Sequence, residues 1–119
     1  GSGASGHILD TGRGVDILLT PTAPTCAPLL HSPECAAVTA GYAADVMTVP
    51  ASLAGLPAMS LPVGLGRDSG LPVGVQLVAG YGGEVDLLHF GAALEAAVAE
   101  AGRKGGGAGP WGGAPGAGG

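Results

Sequence analysis

Cations are scarce in this chain, and so are cysteines and long apolar runs. Four of its 119 residues are Lys or Arg against nine Asp and Glu, for a net charge of −5. The four cations, Arg13, Arg67, Arg103 and Lys104, are scattered along the sequence. A surface that tracks a phosphate backbone needs clustered positive charge, so these residues by themselves make a poor nucleic-acid binder. Two cysteines, Cys26 and Cys35, are too few for the disulfide framework of a small secreted domain. Reduced thiols in an intracellular protein are the expectation. Glycine, proline or a polar residue interrupts every apolar run before the roughly 18 residues that span a bilayer. The first residues have neither the basic and apolar segments of a secretory signal nor the Arg-rich pattern of a transit peptide. Cytoplasm, mitochondrion and plastid all stay open.

Glycine and proline, by contrast, are plentiful, with 25 and 10 residues. Residues 1–14 (GSGASGHILDTGRG) and 102–119 (GRKGGGAGPWGGAPGAGG) are rich in Gly, Ala and Pro. Such residues bury almost no side-chain area against the entropy of ordering the backbone, so both ends are expected to be disordered. The packable part is then residues 15–101, one domain at most.

Within it, "VDILL" opens as consecutive apolar positions, which suit a strand covered on both faces. Residues 23–41 read as loop, because Pro24, Pro28 and Pro33 prevent a long helix. In "TVPASLAG", Thr48 can cap a short helix, Pro50 is tolerated in its first turn, and Gly55 can end it in a left-handed conformation. "AMSLPVG" and "VGVQLVAG" read as two strands joined by the polar turn "GRDSG". Pro62 has no N–H for a ladder, which places it at an edge, a strand end or a bulge. Leu87, Leu94, Val98 and Ala101 share one face of a helix over residues 84–101. Glu84 and Asp86 sit at its positive end, Arg103 and Lys104 lie past its negative end, and Gly102 is placed to stop it. The order of elements predicts an α/β or α+β fold. A sheet of these strands alone would leave apolar edges and faces open, as in the last part of something larger.

Several residues could carry chemistry. Ser60 in "PAMSLPV" has none of the glycine-flanked turn or neighbouring base that a nucleophile needs, and is expected to bond to backbone. Ser52 can return its hydroxyl to a carbonyl one turn earlier. Both serines read as structural. Cys26, His31 and Cys35 have zinc-binding chemistry, but their spacing matches no compact zinc pattern and a fourth ligand is not evident, so no metal site is expected. His89 reads as a partly exposed helix residue. Asp45 is different: it lies ahead of a helix cap in an otherwise apolar stretch, Tyr42 to Pro50. Acids are seldom buried unpaired. One reading is a solvent-facing residue near a helix start. The other is a pocket carboxylate that pairs with an ammonium group on a ligand, since the chain has few cations to offer it.

Four blocks, "DILLTPTAPT", "YAADVMTVPASLAGLPAMSLPVG", "GLPVGVQLVAG" and "DLLHFGAALE", resemble the C-terminal part of the amidase signature family, in the family's order and at similar separations over about residues 15–96. The resemblance implies an α/β-class chain, the C-terminal fragment of the amidase signature fold, in which a large mixed sheet is wrapped by helices. It implies a catalytic group of a serine nucleophile, a second serine preceded by a cis peptide, and a lysine, all well upstream of the "TPTAPT" block. No catalytic residue is therefore assigned to this chain. "GSGASG" is similar to the signature only in composition, and no role passes to Ser2 or Ser5.

Within the family the likeness is strongest to its glutamine-hydrolysing amidotransferase branch. There, the acid of the matching block binds the α-amino group of the substrate glutamine. Asp45 stands at that position, and Tyr42 matches an aromatic residue three positions before it. Ala51 and Ser52 depart from the residue-plus-asparagine often found in the branch. On this resemblance the protein would be a C-terminal portion of an amidase that releases ammonia from glutamine, inactive alone. Its partners would be the rest of its own amidase domain and other amidotransferase subunits, with no membrane contact. The ammonia would convert glutamate on mis-acylated tRNA to glutamine. ATP and Mg, and most tRNA contacts, are expected on the partner subunit. Two alternatives are a part of a stand-alone amidase acting on other amides and a truncated module with no catalysis.

Overall fold

The computed structural model describes residues 14–104, with Glu34 and Cys35 described by backbone alone. The expectations for residues 1–13 and 105–119 lie outside the described residues. The fold is mixed α/β, in the order β1 (Ile17–Pro21), α1 (Pro33–Ala36), α2 (Val38–Ala44), α3 (Val49–Ala54), β2 (Ala58–Leu65), β3 (Pro72–Ala79) and α4 (Glu84–Lys104).

The strands form one sheet in the order β1-β3-β2, antiparallel throughout. The hairpin joins β2 to β3 through the polar turn that the sequence predicts, where Gly66 N–H donates to the Leu71 carbonyl at 2.8 Å. β2 is an edge strand, and its ladder slips between Pro62 and Gly64. Proline thus falls where an absent N–H costs least.

Side chains alternate across the sheet. One face carries Ile17, Met59, Leu61, Leu77 and Ala79, and α4 lies on it through Leu87 and Leu94. Leu77, in the central strand, is fully buried. Helix α4 continues through Gly102 to Lys104, three residues past the predicted stop. Glycine in a helix costs only about 1 kcal/mol. Here the basic last turn suits the helix dipole, and Lys104 pairs with Glu100 at 2.8 Å, one turn back. Ala101, predicted on the packed face, is exposed beyond the sheet.

Two further expectations need correction. β1 is not covered on both faces: Leu19, on the α4 side, is nearly half exposed because α4 packs mainly over β2 and β3, and Leu18, on the opposite face, is nearly half exposed as well. Residues 23–41, read as loop, contain α1 and most of α2. The prolines do prevent one long helix, but Pro33 occupies the first position of α1, where its missing N–H is not needed. The following "AVTAGYAA" contains no proline, so a second short helix can form.

Candidate functional site

The other face of the sheet is polar at its centre. Thr20, Gln76 and Ser60 stand opposite one another across β1, β3 and β2. Thr22 lies just past the end of β1, and its hydroxyl is 2.8 Å from that of Ser60. The two hydroxyls meet across Gly74, where a Cβ would stand 3.2 Å from each and 3.3 Å from the Leu61 carbonyl. The Ser60 side chain therefore bonds to a side chain rather than to the expected backbone. Its partner, the Thr22 hydroxyl, cannot serve as a base.

Gln76 is the one buried polar residue among those described, 5% exposed. Its Nε2 donates to Thr20 Oγ1 at 3.2 Å and to the Met47 carbonyl at 2.9 Å. Met47 lies in the turn between α2 and α3, the turn that begins with Asp45.

Asp45 is the C-cap of α2. Its N–H donates to the Gly41 carbonyl at 3.2 Å, and its carbonyl accepts from the N–H groups of Thr48 and Val49, both at 3.0 Å. The Thr48 hydroxyl donates to the same carbonyl at 3.2 Å, so this side chain does not cap α3 as predicted, although Thr48 holds the N-cap position. Ser52 donates back to the Thr48 carbonyl at 3.3 Å, and Gly55 ends α3 at φ 67°, both as the sequence predicts. The Asp45 backbone is thus fully engaged, while its exposed carboxylate has no hydrogen bond or ion pair among the described residues. The carboxylate also stands at the negative end of α2, where the helix dipole does not stabilise it. Tyr42, three residues earlier on α2, is 77% exposed.

Beside this turn the chain is concave. One hollow of about 610 Å³ lies between residues 24–29 and Ala40, Ala43 and Ala44 of α2. A second, of about 530 Å³, runs from the same loop to Thr22, Ser60 and Gly74. Ala44 lines both, and Asp45 follows it without lining either. Cys26 is half-buried on this loop, His31 is exposed with φ 66°, and Cys35 falls in α1. Among the described residues no three His, Cys, Asp or Glu side chains are grouped to hold a metal, and no helix is long and apolar enough to cross a membrane. His89 is exposed on α4.

Sequence reasoning missed Gln76. The signal was an amide in the middle of "VGVQLVAG", a strand whose other positions are apolar or glycine. An uncharged polar residue there needs buried partners.

Residues 6–88 match the Amidase family, and the chain belongs to it. Among curated relatives it is similar to the A subunit of the mitochondrial glutamyl-tRNA(Gln) amidotransferase of Coccidioides posadasii, 51% identical over 87 residues, which are 72% of this chain and 17% of the relative. The corresponding protein of Rhodospirillum rubrum, also the A subunit of a glutamyl-tRNA(Gln) amidotransferase, is 52% identical over 85 residues, 71% of this chain and 17% of that protein. That of Prochlorococcus marinus is 53% identical over 77 residues, 63% and 15% respectively. The chain spans about a sixth of the length of these relatives. No solved structure matches it.

Proposed function

We propose that residues 15–101 act as the C-terminal, substrate-reading part of a glutamine amidohydrolase, the A subunit of a glutamyl-tRNA(Gln) amidotransferase. The observation that carries the reading is Asp45, with its main chain fixed on both sides and its carboxylate free of any cation among the described residues. A carboxylate so placed is suited to an ammonium group brought by a ligand. The similar relatives are named as amidotransferase subunits; on this reading the amide donor is free glutamine, which has an ammonium where simple amides have none. Tyr42, one turn away, would form part of the same wall. The serine–serine–lysine group that attacks the side-chain amide lies, on this reading, outside these residues. ATP, Mg and most tRNA contacts belong to the partner subunit, and the chain alone hydrolyses no amide.

The test is a graft in which residues 15–101 replace the matching stretch of the Rhodospirillum rubrum protein, assembled with its partners and assayed for ammonia release from glutamine. Activity within about tenfold of the parent is expected, a loss of no more than about 1.4 kcal/mol in transition-state binding. A folded, assembled graft with no glutaminase activity would defeat the proposal.

The same graft tests the hydroxyl pair of Thr22 and Ser60. Gly74→Val places a branched side chain between them and against the Leu61 carbonyl. A destabilisation of about 1–3 kcal/mol is expected from overpacking, read as a lower denaturation midpoint.

A further inference from the structure

Gln76 is buried, is remote in sequence from Asp45, and donates to the backbone of the turn that carries it. We propose that Gln76 is the positioning residue of the substrate-binding site, tying the Asp45–Thr48 turn to the central strand so that the carboxylate is held in register with the polar face of the sheet. The inference rests on the reading of Asp45 as the ammonium-binding acid.

Chemistry fixes the orientation of the amide. A carbonyl only accepts, so the atom that faces Met47 O at 2.9 Å must be the nitrogen of Gln76. Its second N–H then meets Thr20 Oγ1 at 3.2 Å, and the Thr20 hydroxyl donates onward to the Pro21 carbonyl, also at 3.2 Å. The amide thus joins strand β1, strand β3 and the turn. Helices α2 and α3 have little else to hold them. Ala51 is the only buried side chain in either, and Val38, Tyr42 and Leu53 are all exposed. A turn that depends on so few contacts responds strongly to the loss of one buried hydrogen bond.

The experiment uses the assembled graft with two substrates, glutamine and 4-carbamoylbutanoate, which is glutamine without its α-amino group. Gln76→Met keeps the length and volume of the side chain and removes both donors. The KM for glutamine is expected to rise about three- to tenfold relative to that for 4-carbamoylbutanoate, as for the loss of one net hydrogen bond. Hydrogen exchange at the amides of Thr48 and Val49 should accelerate, while that of β2 and β3 stays slow. In an Asp45→Asn background, Gln76→Met should add little to the KM for glutamine, because both changes act through one carboxylate. Equal effects on the two substrates, or full additivity with Asp45→Asn, would overturn the proposal. So would unchanged exchange at Thr48 and Val49. If Gln76→Met does not fold, Gln76→Asn, one methylene shorter, gives the same readings. Failure of the Asp45 reading is seen separately: Asp45→Asn alone would then leave the KM for glutamine unchanged.

Discussion

In the grafted enzyme, Asp45→Asn is expected to raise the KM for glutamine about 10- to 100-fold while changing kcat far less. The size follows from a charge-assisted hydrogen bond that contributes about 1.5–3 kcal/mol when water is kept out. The partition between KM and kcat follows from the chemistry. The α-ammonium is several bonds from the amide under attack and is equally charged in ground and transition states, so its contact is uniform binding. For 4-carbamoylbutanoate there is no ammonium to lose, and the selectivity between the two amides should collapse. The magnitude also decides between the two readings of Asp45. A solvent-facing carboxylate would give an ion pair of about 0–1 kcal/mol, and a KM change below about fivefold. An unchanged KM for glutamine removes Asp45 from the site.

Much of this arrangement was legible in the sequence, because it rests on local rules. The α4 helix is written in its repeat of leucines and in its charged ends. The β2–β3 hairpin is written in two apolar runs around "GRDSG", and Pro62 marks the slip in its ladder. The end of α3 is written in Gly55. What was hidden depends on neighbours far along the chain. The bond between Thr22 and Ser60 spans 38 residues, and that between Gln76 and Met47 spans 29. No periodicity reports such pairs. The partial exposure of β1 was hidden for the same reason: "VDILL" states that the strand wants cover on both faces, but not where that cover comes from. Asp45 was legible as an anomaly, an acid without a cation. The hydrogen bonds that engage its backbone appear only in three dimensions.

The 119-residue chain by itself is expected to bind a hydrophobic dye and to associate at micromolar concentration, with no sharp thermal transition. Leu77 is its only large side chain that is fully buried among the described residues, and the rest of the buried apolar set is Ala51, Val78, Ala79 and Leu87. Against this, Leu29, Leu30, Val38, Tyr42 and Leu53 all lie open on one continuous segment, Leu30 and Leu53 at 82% and 83%. A cooperative transition requires enough buried surface to offset an ordering entropy of about 1–2 kcal/mol for every residue fixed. Two leucines and three smaller neighbours fall short of that for a 91-residue span. Val85, Leu88 and Phe90 of α4 are open as well, but these five cluster on the loop and helices around Asp45. That placement has a functional sense if the surface is closed by the remainder of an amidase domain, which would at once shield the carboxylate and supply the groups that attack the amide. In the assembled graft the same residues should be protected, and dye binding should fall to the level of the parent enzyme. A monomeric chain that unfolds in one sharp transition, with calorimetric and van't Hoff enthalpies equal, would show that these residues close their own core and need no such cover.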